Sequence, residues 1–279
     1  MTVLLQISDP HFGTERLPVV EALVQLAHKL NPQVLLLTGD ITQRATRKQF
    51  SAARAFVERL KAPIVLAIPG NHDIPLFNLM ARVLTPYGHY IPSFGSNLEP
   101  EYEDNDVLIL ALNTTRWYRH KDGKISAEQI ERVARRCERA RSDKYRMVVV
   151  HHPMAVTTAR DLENVIHGHE QAIRRWGAAG VDLVIGGHIH LPFVLPLHER
   201  WPELQKPLWV VQAGTAISHR VRPNTANSIN VLRVALRVQA TKSIADLVQR
   251  HCEVERWDFD ERTQSFEAIS VHSLPVING

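Results

Sequence analysis

Two cysteines in 279 residues, Cys137 and Cys252, are too few and too far apart for a disulfide framework or a thiolate metal site. That scarcity suits a reducing compartment. No apolar run approaches the roughly 18 residues a membrane span requires. The N-terminus, MTVLLQISDPHF, lacks the basic stretch that opens a secretory signal. A cytoplasmic protein with no membrane partner is the expectation. Charge of one sign is scarce too: 33 Lys and Arg against 29 Asp and Glu leave a net +4. This mild basicity suits anionic substrates, but it is too small and dispersed to name nucleic acid as the favoured partner. Linkers, internal repeats and low-complexity stretches are also missing, so one domain spanning 1–279 is the economical reading.

What is present describes an ordinary globular chain, 44% hydrophobic and 22% charged. Short apolar runs alternate with amphipathic stretches. Val3–Ile7, Val34–Leu37 and Ile64–Ile68 read as strands. Between them Val19, Val20, Leu23, Leu26, Ala27 and Leu30, then Phe50, Ala53, Phe56, Val57 and Leu60, fall at helical spacing. Val107–Leu112, Met147–Val150 and Leu183–Ile185 continue the series, with helices over about 127–140 and 170–179. Continuous apolar strands bracketed by helices predict an α/β fold with covered sheet faces and right-handed crossovers. From Leu208 onward the strands lack long helices, and a second, more antiparallel sheet packed on the first is expected there.

Five short polar clusters follow apolar runs: Asp9 and His11 in ISDPH, Asp40 in LLLTGD, Asn71 in AIPGNHD, His151 in VVVHHP, and His188 with His190 in IGGHIH. Sites in open α/β sheets gather at the carboxyl ends of strands, so sequence-distant residues here can converge. Asp9 and His11 are two apart, as are His188 and His190. In an extended segment each pair projects to one side. Oxygen and imidazole donors without thiolate suit Mn, Fe or Zn. One carboxylate beyond the need of a single ion suggests two ions sharing a bridge.

DPH, GD, GNHD, HH and GHIH, in this order over residues 9 to 190, resemble the signature of the calcineurin-like metallophosphoesterases. Within that superfamily the chain looks most like the class III cyclic-nucleotide phosphodiesterase branch. The resemblance implies a four-layer αββα sandwich, two mixed sheets flanked by helices. It implies that Asp9, His11 and His190 bind one ion, Asp40 bridges, and Asn71, His151 and His188 bind the second. His72 would then be the catalytic histidine, with Asp73 placed to orient it. The implied reaction is hydrolysis of a small phosphodiester, such as a 3′,5′-cyclic nucleotide, by a hydroxide held between the ions, with His72 assisting the leaving alkoxide.

Other residues are less determined. His152 is expected to support the site or pack, because adjacent strand residues point to opposite faces. Asn113, after a strand, and His89 are candidate substrate contacts along with Asn71 and His72; Arg116 and Arg44 read as readily as structural or surface arginines. The stretch from Thr85 to Asp106 is long for a connection and reads as a binding loop in which Tyr87, His89 and Phe94 shape specificity. Arg132, Arg135, Arg136 and Arg139 form a solvated helix face. A nuclease would want an extended basic groove. A lipid-linked or nucleotide pyrophosphohydrolase would want an apolar or amphipathic insertion beside the site, and none is evident in the sequence. A non-catalytic metal-bearing scaffold remains an alternative; a homodimer is compatible with everything above.

Overall fold

In the computed structural model, which describes residues 1–238 and 248–275, the chain alternates strands and helices from its first residues. Its opening elements are β1 (Thr2–Ile7), α1 (Leu17–Leu30), β2 (Val34–Thr38), α2 (Arg47–Arg59) and β3 (Ile64–Ile68). Two short helices follow, α3 (Leu79–Leu84) and α4 (Ile91–Phe94), then β4 (Glu101–Glu103), β5 (Val107–Ala111), α5 (Ala127–Arg139) and β6 (Tyr145–Val149). The remainder comprises α6 (His169–Ala178), β7 (Leu183–Gly186), β8 (Phe193–Pro196), β9 (Trp209–Gln212), β10 (Ser228–Val238), β11 (Val248–Asp260) and β12 (Ser265–Pro275).

These strands build two six-stranded sheets, ordered β12-β11-β10-β1-β2-β3 and β4-β5-β6-β7-β9-β8. In the first, β1, β2 and β3 are parallel and β10 to β12 continue antiparallel from β1. In the second, β5, β6, β7 and β9 are parallel between antiparallel edges β4 and β8. Both sheets are therefore mixed.

The layering follows from side-chain alternation along the strands. Leu5, Ile7, Leu35 and Leu37 face one way, packing with Val19, Leu23 and Ala27 of α1 and Phe50, Ala53 and Val57 of α2. Leu4, Val34 and Leu36 face the other way, against Ile109, Met147 and Ile185 of the second sheet. Leu108, Val148 and Val184 turn outward beneath Ile130 and Val133 of α5 and Ile173 and Trp176 of α6. Each fully buried branched side chain contributes about 1.5–3 kcal/mol. Helix, sheet, sheet, helix is thus the only order in which strands apolar on both faces bury both.

One expectation fails. The carboxyl-terminal strands do not make the second sheet; they extend the first, with Val231 opposite Leu5 and Val254 opposite Leu232. The second sheet comes from the middle of the chain, and β9 joins it through Val210 beside Val184. Helix-free sequence marked the antiparallel strands correctly, but their partner was β1, whose free edge they cover. The 85–106 stretch is also no open loop. Tyr90 is fully buried with its hydroxyl on Ala67 O at 2.8 Å, Phe94 packs against it, and Glu101–Glu103 pairs with β5. Tyr90 is core, and Tyr87 and Phe94 pack partly buried against the same cluster. The arginine face of α5 is partly neutralised, since Arg132 pairs with Glu99 and Arg136 with Glu101 and Glu103.

Candidate metal centre

Every parallel strand but β5 delivers a polar residue to one end of the two sheets. β1 runs into Asp9, β2 into Asp40, β3 into Asn71, β6 into His151, β7 into His188, and β9, more distantly, into Arg220. These residues line or underlie a cleft of about 560 Å³ whose walls include Asp40, Asn71, His72, His188, His190 and Arg220.

Convergence is achieved differently from the expectation. Asp9, His11, Asp40, His188 and His190 are not in extended segments: their φ angles are 50°, 45°, 48°, 73° and 55°. Among the described residues they make up five of the ten non-glycine residues with positive φ. Left-handed backbone at non-glycine residues costs of order 1–3 kcal/mol each and persists where function requires it. Two glycines admit this crowding. A Cβ on Gly187 would overlap Ser8 Oγ and Asp9 Oδ2, and one on Gly70 would overlap the backbone and carboxylate of Asp40.

The donors face one another at short range. His11 Nε2 lies 3.0 Å from His190 Nε2, 3.8 Å from Asp9 Oδ1 and 3.7 Å from Asp40 Oδ2. His190 Nε2 is 3.2 Å from Asp9 Oδ1. On the other side of Asp40, His151 Nε2 is 3.3 Å from its Oδ1 and 3.4 Å from Asn71 Oδ1. Asp40 therefore lies between the two groups of donors.

The hydrogen bonds at the back of each ring fix which nitrogen points inward. His151 Nδ1 donates to Thr38 O at 2.8 Å, and His190 Nδ1 donates to Arg220 O at 2.6 Å. In the neutral ring, Nε2 then turns a lone pair toward a carboxylate, an arrangement that needs a cation between them. This is the pairing of metal-bound imidazole with an outer carbonyl. Without metal a proton takes the cation's place. Burial lowers His151, but Asp40 facing it raises it to about 9. Burial pushes His11 down to about 3, and burial with the neighbouring His151 does the same to His188. Those two imidazoles keep their lone pairs. Burial pushes Asp9 and Asp40 up, but the surrounding histidines, His190 and His151 foremost, hold both below the usual carboxylate range.

Two buried atoms complete the argument. Asp9 Oδ1 and His188 Nδ1 are buried without a hydrogen-bond partner. Asp9 Oδ2 takes bonds from Ser8 Oγ at 2.6 Å and from the His188 backbone N at 2.9 Å, which leaves Oδ1 to the cluster. An unpaired buried polar atom costs about 1–3 kcal/mol, and a cation held among these residues would satisfy both. Oxygen and nitrogen donors in this number fit first-row metal ions.

Among the other candidates, His72 sits on the cleft wall. Its backbone N donates to Asp40 Oδ1 at 2.8 Å, its Nδ1 donates to Gln43 O at 3.1 Å, and its Nε2 accepts from Arg220 Nη1 at 3.1 Å. Asp73 does not touch the His72 ring. Its carboxylate accepts from the backbone N of Ile41, Thr42 and Gly70 and from Thr42 Oγ1, at 2.8–3.0 Å. It ties the loop after β2 to the loop after β3, and Gln43 orients the imidazole instead. The physical reason is the single 3-10 turn Asn71–Asp73, which sends successive side chains in different directions. Burial, with Asp40 nearby, pushes the Asp73 carboxyl up to about 7 against the pull of those bonds.

Asn113 and His89 are not among the cleft-lining residues. Asn113 bonds Tyr87 Oη and Thr115, and His89 Nδ1 donates to Ala45 O at 2.8 Å. His152 is fully buried with Nδ1 on Thr114 Oγ1 and Nε2 on Lys121 O, so both nitrogens are engaged by the protein. Arg116 is tied to Asn113 O and Gln129, whereas Arg44 does reach the cleft wall.

Arg220 was missed. Its Nη1 lies 3.0 Å from Gln43 Oε1, 3.1 Å from His72 Nε2 and 3.4 Å from His11 Nδ1. The signal was available in part, since AGTAISHR follows an apolar run as the other clusters do. The seven residues between Gln212 and Arg220 obscured it.

A family model described as calcineurin-like phosphoesterase matches residues 2–192. A protein named probable cyclic nucleotide phosphodiesterase from Synechococcus sp. is 26% identical over 212 residues, which is 68% of this chain and 74% of the relative. One named probable glycerophosphodiester phosphodiesterase from Arcobacter nitrofigilis is 23% identical over 202 residues, 67% and 71% of the two chains. A dimetal phosphatase from Danio rerio superimposes with a TM-score of 0.66 at 11% identity, covering 98% of both chains. Purple acid phosphatase from yellow lupin seeds gives 0.70 at 11% identity, over 98% of this chain and 53% of the other. These two structures share the fold.

Proposed function

The chain belongs to the calcineurin-like phosphoesterase family, and from that premise we propose that it is a dimetal phosphodiesterase acting on a small phosphodiester. The observation that carries this is the pair of unpaired buried donors, Asp9 Oδ1 and His188 Nδ1, within a cluster of nitrogen and oxygen atoms facing one another at 3.0–3.8 Å. Asp9, His11 and His190 would hold one ion, Asn71, His151 and His188 the other, and Asp40 both. Two bound ions supply Lewis acidity toward a phosphoryl oxygen and a source of hydroxide near neutral pH.

The residues of the chain do the rest. Two divalent ions against the charges of Asp9 and Asp40 would leave the centre a surplus of about two positive charges, which would draw an anionic diester. Arg220 adds a planar donor at the same wall and suits a non-bridging phosphoryl oxygen. When a phosphate draws Arg220 away, His72 Nε2 is released toward the departing oxygen while Nδ1–H stays on Gln43 O. Freed of Arg220, Nε2 takes up a proton from solvent, and His72 then passes that proton to the leaving alkoxide, a role usually worth about 10²–10⁴-fold. The names of the two curated relatives support a diester over a monoester, and a 3′,5′-cyclic nucleotide is one diester that fits.

The test is hydrolysis of bis(p-nitrophenyl) phosphate by protein supplied with Mn, Fe or Zn, with and without chelator. Chelator-sensitive release of p-nitrophenolate is expected. His72→Ala should keep its metal content, read by elemental analysis, and lose turnover. Full metal occupancy without hydrolysis of any phosphodiester would instead favour a metal-bearing scaffold.

A further inference from the structure

We propose that the substrate of this cleft is amphiphilic, a phosphoester whose apolar chain lies along the outward face of α3; this rests on the phosphodiesterase reading above. The segment Ile74–Leu84, IPLFNLMARVL, ends in the short helix α3, whose amphipathic pattern is turned inside out. Leu79, Met80, Val83 and Leu84 share one face and are 70%, 73%, 50% and 70% exposed, with Phe77 just before them at 79%. The one charged residue of the helix, Arg82, is 8% exposed and points inward. A surface helix ordinarily has the opposite arrangement.

The inversion is built in. Arg82 bonds Trp117 O at 2.7 Å, Arg119 O at 2.6 Å and Pro75 O at 3.2 Å, and Asn78 Oδ1 caps the helix by accepting from Ala81 N at 3.0 Å. Turning the apolar face inward would carry the Arg82 guanidinium out to solvent and strip three carbonyls of their donor. The exposure is therefore a property of the folded state, and exposed apolar patches of this kind mark binding surfaces.

The patch runs into the cleft. Leu76 is part of the cleft wall, and Phe77 lies under Arg44, another wall residue, with the guanidinium carbon 5.2 Å from the ring centroid. Leu162, 64% exposed, stands between the wall residues Asp161 and Glu163. Trp117 and Tyr118, half-exposed and stacked edge to face, are followed closely by His120 and Lys121, again wall residues. A cationic cleft bordered by apolar side chains on three segments matches a ligand with an anionic head and an apolar tail. A protein seated on all three segments would cover the cleft mouth, whereas a chain extending from a bound phosphate reaches α3 and leaves the mouth open.

The experiment uses full-length, metal-supplied protein and alkyl p-nitrophenyl phosphodiesters from methyl to octyl, below their micelle concentrations. A methylene moved fully out of water is worth about fourfold in affinity, and roughly twofold when half covered on an open face. The octyl ester should therefore exceed the methyl ester more than tenfold in kcat/KM. That ratio, taken within each protein so that general losses cancel, should collapse in Leu79→Ser/Met80→Ser/Leu84→Ser and fall partway in Met80→Ser. A flat series in the wild type, or an unchanged ratio in the triple variant, overturns the assignment. A triple variant that becomes monomeric in sedimentation while keeping its chain-length ratio would assign α3 to a second copy, and also overturns it. Calorimetric binding of octyl against methyl phosphate reads the same face without turnover. Chain-length-dependent binding in a protein that hydrolyses nothing would keep α3 and remove the hydrolase reading, so the two failures are distinguishable.

Discussion

Replacing Asp73 with Asn separates two roles that adjacent positions in GNHD confound. Asp73 is 1% exposed, and each of its oxygens takes two hydrogen bonds: Oδ2 from Ile41 N and Gly70 N, Oδ1 from Thr42 N and Thr42 Oγ1. Asparagine keeps one acceptor oxygen and sets an NH₂ against the other pair of donors, whichever way it flips. At pH 8, above the raised pKa of about 7 where the carboxyl is ionised, two bonds to a charged acceptor are lost, each worth about 1.5–3 kcal/mol. The expected destabilisation is therefore roughly 3–6 kcal/mol, a large part of the 5–15 kcal/mol typical of a domain. Urea titration monitored by tryptophan fluorescence measures it as a drop in midpoint, and bis(p-nitrophenyl) phosphate hydrolysis per folded molecule measures function. Both loops that Asp73 joins carry metal-ligand candidates, Asp40 and Asn71, so metal affinity should fall as well. The reasoning is refuted if Asp73→Asn unfolds at the wild-type midpoint with normal metal content yet loses as much turnover as His72→Ala. That outcome would mean Asp73 acts on the imidazole after all.

Three further outcomes follow from the same geometry. Arg220→Ala should raise KM and lower kcat for a phosphodiester by at least tenfold together, since its Nη1 faces His72 and the cleft, and Arg220→Lys should recover little because the planar fork is lost; equal kinetics for all three proteins would remove it from the site. Gly187→Ala should push Ser8 and Asp9 apart and weaken metal binding about 10–100-fold, the usual penalty for disturbing residues that orient a ligand, as read by competition with a chromophoric chelator. Burial pushes the Cys137 thiol up to about 12 and raises Cys252 further, so a thiol reagent at pH 8 should label neither in folded protein and both after denaturation. Rapid labelling of native protein would contradict that packing.

The outline of the fold was legible because strands buried on both faces must be continuously apolar. Leu35 and Leu37 face α1 and α2 while Leu36 faces the second sheet, and all three are leucine. The same uniformity hid the strand order. Nothing in Leu208–Gln212 or Ser228–Val238 says which edge each strand will join, and the antiparallel strands went to β1. Short-range chemistry was misread where the backbone left its regular path. GNHD suggested that Asp73 orients His72, but a 3-10 turn separates them. TPYGHYIPSF suggested a binding loop, but Tyr90 is core and Phe94 packs against it. The true apolar rim, Phe77 to Leu84, has the composition of a core helix, and only the inward turn of Arg82 shows it to be exposed.

The sequence by itself determined the chemistry of this protein. Nitrogen and oxygen donors placed after apolar runs must meet at one end of a parallel sheet, whatever the intervening loops do. The tertiary structure alone decided how the donors face each other: five residues in left-handed backbone, two histidines locked by carbonyls behind them, and two buried atoms left without a partner. It also decided which arginine stands over His72 and which helix turns its apolar face to solvent. Those facts depend on contacts between residues up to 209 positions apart, Arg220 and His11 among them, and such contacts leave no local periodicity to read.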